Sequence, residues 1–86
     1  MANPAVTNLV ADTWTKVATN VYSGYVWILK SGIGYLYTYR LTGEAAPTTL
    51  DDAIQFSMPG QEIAANDPID VYVRSIGEAG RVRFDS

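Results

Sequence analysis

Between Tyr35 and Leu41 the side chains alternate in character. Tyr35, Tyr37, Tyr39 and Leu41 fall on one face of an extended chain, and Leu36, Thr38 and Arg40 fall on the other. A period of two is the signature of a strand, and it recurs near the C-terminus. There Ile69, Val71 and Val73 alternate with Asp70, Tyr72 and Arg74. After Gly77-Glu78-Ala79-Gly80 the chain resumes with Val82 and Phe84 alternating with Arg81, Arg83 and Asp85. Eight Val, six Ile, eight Thr and six Tyr stand against five Leu, a balance that favours strands, and no helix-period stripe competes with it.

The arrangement of these runs predicts two hairpins. Tyr25–Lys30 and Tyr35–Leu41 are joined by Ser31-Gly32-Ile33-Gly34, and the C-terminal pair is joined by the four residues from Gly77 to Gly80. The C-terminal hairpin is expected to have one buried and one wet face, with Asp70 and Asp85 answering Arg74, Arg81 and Arg83 on the wet one. Thr42–Leu50 reads as a loop, Ala53–Ser57 and Glu62–Ala65 as short strands, and Met58-Pro59-Gly60-Gln61 and Asn66-Asp67-Pro68 as turns. With a further strand over Thr13–Ala18, the expectation is about seven short strands in a small antiparallel β-sandwich or barrel. Residues 1–12 are weakly patterned and read as an arm that orders on assembly, leaving 13–86 as a single β domain.

At 86 residues the chain supports one modest core. Domains of about 70–80 residues or fewer usually add disulfides, metals or oligomerisation to such a core. This chain contains no Cys and no His, so disulfides are excluded and soft or imidazole metal ligation nearly so. Oligomerisation is the remaining support.

The same two absences remove the bases that Ser-His-Asp or Cys-His catalysis requires. Asp51-Asp52 is the best adjacent carboxylate pair for glycoside hydrolysis, but neighbours on a strand point to opposite faces and read better as solvated loop acids. Asp67 and Asp70 lack calcium-loop spacing, and Gly32-Ile33-Gly34 opens a strand where a nucleotide loop would open a helix. The expectation is a chain that is not an enzyme and needs no cofactor. Six basic residues are scattered against nine acidic ones, for a net charge of −3, which is no footprint for nucleic acid. No apolar run approaches the ~18 residues of a membrane span, and no leader pattern opens the chain, so a soluble protein made in a cytoplasm is expected.

The aromatic set is the most informative feature: Trp14, Tyr22, Tyr25, Trp27, Tyr35, Tyr37, Tyr39 and Tyr72. Core filling, a protein interface and stacking against a ligand are all open to it. As interface candidates we single out Trp27, Tyr35, Tyr37, Tyr39, Tyr72 and Arg74. A carbohydrate-binding module would use the Tyr35, Tyr37 and Tyr39 stripe.

The stretch from Gly43 to Ser86 resembles small structural virion proteins of tailed bacteriophages. The resemblance is carried by Gly43-Glu44-Ala45-Ala46-Pro47-Thr48 leading to Asp52-Ala53-Ile54, by Pro59-Gly60-Gln61-Glu62, and by Ile69-Asp70-Val71-Tyr72-Val73-Arg74-Ser75. Trp14 and the Tyr25–Leu41 segment fit its first half more loosely. The resemblance implies a virion component, foremost a capsid decoration (cement) protein that binds the major capsid protein as a homo-oligomer such as a trimer. A small tail, baseplate or head-fibre component is the neighbouring alternative. No binding residue is carried over from it.

Overall fold

The computed structural model describes residues 5–57 and 60–85. Six strands, β1 (Ala5–Leu9), β2 (Thr15–Ile28), β3 (Gly34–Leu41), β4 (Ile54–Phe56), β5 (Gly60–Ile76) and β6 (Gly80–Asp85), form one antiparallel sheet in the order β1-β6-β2-β5-β3-β4. The sheet curls into a half-barrel, and among the described residues there is no helix. The small all-β architecture is therefore as the alternation predicts.

The core lies on the inner face. Val26, Val71, Val73 and Val82 are completely buried there together with Tyr35, and Leu9, Ile63, Ile69, Phe56 and Phe84 complete the cluster. Phe56 packs edge-on to Tyr37 at 5.5 Å and tilted to Tyr35 at 6.0 Å. Burial, and then the nearby Tyr39, push the Tyr37 phenol above its ordinary pKa.

Neither predicted hairpin forms as a pair of bonded neighbours. β5 lies between β2 and β3, pairing with β3 from Gly34↔Ile76 to Leu41↔Ile69. Its other edge is occupied by β2, so no edge remains for β6, which pairs with β1 and with the end of β2 instead. A Gly-containing connector fixes a chain reversal but not the partner. Here Tyr35 ties the β2–β3 connector to the start of β6: its hydroxyl donates to Lys30 O (2.6 Å) and accepts from Arg81 N (3.3 Å), while Ser75 Oγ donates to Glu78 O in the connector before β6. Gly80 is required by this closure, because a Cβ there would stand 2.8 Å from the Tyr35 ring.

Six strands replace the expected seven through two fusions and one addition. The Thr13–Ala18 strand and the Tyr25–Lys30 run are one bent strand, β2, and the Glu62–Ala65 and Ile69–Arg74 strands are one bent strand, β5. The Asn66-Asp67-Pro68 turn lies inside β5, where the five steps from Ala64 to Ile69 of β5 are set against the two steps from Val21 to Ser23 of β2. The turn residues thus act as a bulge, a place where a proline without an N–H is tolerated. Of the other expected turn, Met58 and Pro59 lie outside the described residues, while Gly60 and Gln61 open β5. The added strand is β1, within the segment read as an arm: Ala5 to Leu9 pair with Phe84 to Gly80, and Leu9 enters the core. Met1–Pro4 of that arm lie outside the described residues. The Thr42–Leu50 loop and the short strand near Ile54 are as expected.

β2 bends because its register slips at Lys16/Ala18 and again at Ala18/Val21, and Asn20 takes a left-handed φ of 56°. Asp70 locks this bulge. Its Oδ1 accepts from Asn20 N (2.9 Å) and Thr42 Oγ1 (3.0 Å), and its Oδ2 meets Lys16 Nζ at 3.3 Å. The Asn20 N–H, then Thr42 and Lys16, hold this carboxyl below its ordinary pKa against the opposing effect of burial. Asp70 is thus a buried structural anion, whereas the alternation placed it on a wet face opposite arginines.

Candidate functional site: an aromatic and arginine face

Of the six candidate residues, three are interior. Tyr35 is fully buried, Tyr72 is 4% exposed and Tyr37 is 8% exposed. Along the tyrosine stripe exposure rises from Tyr35 to Tyr39, and only Tyr39, at 44% exposure, reaches the surface. Arg74 and Trp27 are half-buried, and they lie on two different stretches of the outer face of the sheet. The structure does not bring the six together.

The first stretch covers β2, β5 and β3. Lys16, Tyr72 and Thr38 stand side by side in register, with Lys16 Nζ 5.8 Å from the centre of the Tyr72 ring. Tyr72 and Thr38 of this row are buried and Lys16 at its margin is exposed, with the Thr42–Ala53 loop lying along the row. The Trp14 indole donates to Thr49 O (3.0 Å), Arg74 lies over the Trp14 ring at 5.9 Å, and Arg40 grips Asp52 through two contacts of 2.8 and 3.3 Å. Every cation here has a partner within the fold.

The second stretch covers β6, β2 and the start of β5, and no loop among the described residues lies over it. Val26 points into the core, so Tyr25 and Trp27 point out. Two cross-strand rows result: Asp85, Tyr25 and Glu62, and next to it Arg83, Trp27 and Gly60. The Tyr25 and Trp27 rings stack with centres 5.8 Å apart and planes 23° from parallel. Arg83 lies 5.8 Å from the Trp27 ring centre and pairs with Asp85 at 3.1 Å, and the Tyr25 hydroxyl points to Glu62 at 3.4 Å. Gly60 makes room for the indole, since a Cβ there would come within 2.6 Å of Trp27 Cζ3.

Polar satisfaction differs on this second face. Trp27 Nε1, Arg83 Nε and Asp85 Oδ1 are buried without a hydrogen-bond partner among the described residues. Arg83 and Asp85 already meet through their other polar atoms at 3.1 Å, whereas the indole N–H is the one polar group of Trp27 and has no partner among the described residues. Tyr25 is 43% exposed and Leu29 is exposed at the end of the same strand. Of the sequence candidates only Trp27 belongs here. Tyr25, Arg83 and Asp85 could have been placed beside it by pairing Tyr25–Ile28 with the terminal strand, but the hairpin reading assigned that edge to Tyr35–Leu41. No three acidic side chains come close enough together to hold a metal ion among the described residues.

No protein-family model, curated protein or solved structure matches the chain.

Proposed function

We propose that the chain is a structural protein of a bacteriophage particle, a decoration protein that binds the major capsid protein and stabilises the shell. It would be made in the host cytoplasm, act in the virion and assemble as a homo-oligomer. The observation that supports this most is the open sheet. A half-barrel ends in two edge strands, β1 and β4, each bonded along one side only among the described residues, and ten large hydrophobic side chains stand exposed among those residues. A core so small, without covalent or metal staples, gains from a partner surface, and a shell offers many identical copies of one. The resemblance of Gly43–Ser86 to phage structural proteins points to the same partner.

The uncovered Tyr25, Trp27 and Arg83 face is the attachment surface of this reading, because aromatic and arginine anchors carry most interface energy. Incubated with capsids stripped of accessory proteins, the protein should co-sediment in a saturable way and raise the temperature at which the shells open. The W27A/R83A variant should keep its fold and lose binding. Failure of the unmodified protein to co-sediment overturns the proposal.

One observation favours a second reading, carbohydrate binding. The stacked Tyr25 and Trp27 rings, flanked by the Asp85 and Glu62 carboxylates, form a surface on which a sugar ring could lie. The burial of Tyr35 and Tyr37 removes the stripe first considered for that role. Saturable quenching of Trp27 fluorescence by a host polysaccharide, absent in W27F, is the result this reading requires.

A further inference from the structure

The two ends of the sheet are unlike each other. β4 is three residues long and follows Asp51-Asp52, the kind of short, charge-flanked edge that resists pairing. β1 is five residues long, Ala-Val-Thr-Asn-Leu, with no charge, no proline and no bulge in its pairing with β6. Among the described residues no strand occupies its outer edge, and a strand bonded along one edge alone is weakly held. Val6, beside that edge, is 49% exposed.

The structure assigns this edge to a second copy of the same strand: we propose that two chains pair β1 to β1 in antiparallel fashion about a two-fold axis. The inference deepens the assembly reading above and rests on it. Full overlap of Ala5–Leu9 with itself sets Thr7 on the axis, Val6 opposite Asn8 of the second copy, and Ala5 opposite Leu9. The row of backbone N–H and C=O groups selects a strand as occupant, and an antiparallel edge is complementary to itself. An uncharged strand meets no like charge in this register. The β4 edge of another copy could engage only three of the five residues and would bring Asp51 and Asp52 to an edge without a cation. Pairing at β1 also makes the outer faces continuous, so the two Tyr25, Trp27 and Arg83 surfaces become one bivalent surface.

The register gives the test. Val6 and Asn8 sit beside Arg83 and Arg81 in their own chain, so V6E/N8E suits the isolated domain while setting carboxylates against each other across the axis. By light scattering the unmodified protein should have twice its 9.4 kDa mass, V6E/N8E should be monomeric with unchanged circular dichroism, and V6E/N8K should recover the dimer. The chain has no cysteine of its own, so T7C with oxidised glutathione should give a cross-linked dimer. Antiparallel partners stand about 4.5–5.5 Å apart at Cα, inside the roughly 4.4–6.8 Å that a disulfide spans. A monomeric unmodified protein, a V6E/N8E mass equal to that of the unmodified protein, or a trimer unaffected by V6E/N8E overturns the pairing. A dimer that obeys the charge pattern but ignores capsids upholds it and overturns the capsid reading alone.

Discussion

Two stretches of the same sheet face carry the same device, an arginine over a tryptophan, and treat it differently. At Arg74 and Trp14 the separation is 5.9 Å and the indole N–H is answered by Thr49 O. At Arg83 and Trp27 the separation is 5.8 Å and the indole N–H has no partner among the described residues. The difference is the Thr42–Ala53 loop, which provides a second layer over β2, β5 and β3 but does not extend to β6. Beneath the loop a tyrosine becomes core; beyond it a tyrosine stays at the surface. The lesson is that residue type and alternation do not tell a structural aromatic from an available one. What decides is whether another segment returns to cover it.

The sharpest way to break this comparison is to truncate one tyrosine on each side. Tyr72→Ala removes a buried ring from under the loop and should cost about 3 kcal/mol or more in urea unfolding. Tyr25→Ala removes a half-exposed ring and should cost about 1 kcal/mol or less. Equal losses would mean that the two stretches are covered alike.

Next in size is the anion that shapes the covered half. Asp70→Asn keeps the shape and one acceptor oxygen but loses the charge that Lys16, Thr42 and the Asn20 N–H address, a cost of about 1–2 kcal/mol at neutral pH. The folded state holds the Asp70 pKa below its ordinary value of 3.8. Its stabilisation is therefore complete above that value and is lost as pH falls through the lower folded value. Stability curves of the two proteins should lie apart at pH 7 and draw together below about pH 4. A gap that persists in acid would show that Asp70 acts through packing and not through charge.

Much of the fold is legible in the sequence because alternation and turn residues report local geometry directly. β3, β6 and the C-terminal half of β5 stand where the alternation puts them, and the core positions Val71, Val73, Val82 and Phe84 follow from it. Partner choice is not local, so the reading fails there. Ser31–Gly34 and Gly77–Gly80 look like hairpin turns, yet each passes the chain across the end of the half-barrel. Bulges are a second blind spot. Asn66-Asp67-Pro68 carries turn chemistry whether the chain reverses or merely kinks, and β5 kinks because both of its halves have β2 to bond to. β1 escapes notice because Thr7, on the face of Leu9, is only weakly apolar, leaving Leu9 as the single strong signal. Of the site, Trp27 is legible as a candidate, but its companions Tyr25, Arg83 and Asp85 depend on the β2–β6 pairing that the hairpin reading excluded.

The smallest expected effect is also the most exact test of what separates the two tryptophans. Phenylalanine in place of either residue shortens the ring, weakens the stack with arginine and deletes one indole N–H, so the first two losses are common to both sites. At Trp14 the deleted N–H leaves Thr49 O without its donor, and the hydrogen bond is worth about 1 kcal/mol. At Trp27 the deleted N–H is itself unanswered, and removing a buried unpaired donor recovers part of what the smaller ring gives up. W14F should therefore be the less stable variant by about 1 kcal/mol, a gap readable as a shift in urea midpoint at unchanged slope. Adding the partner should reverse the order for binding: W27F trims a ring of the uncovered face and loses affinity, while W14F keeps it. Variants equal in both stability and binding would place the two tryptophans in one structural class and remove the uncovered face as a site.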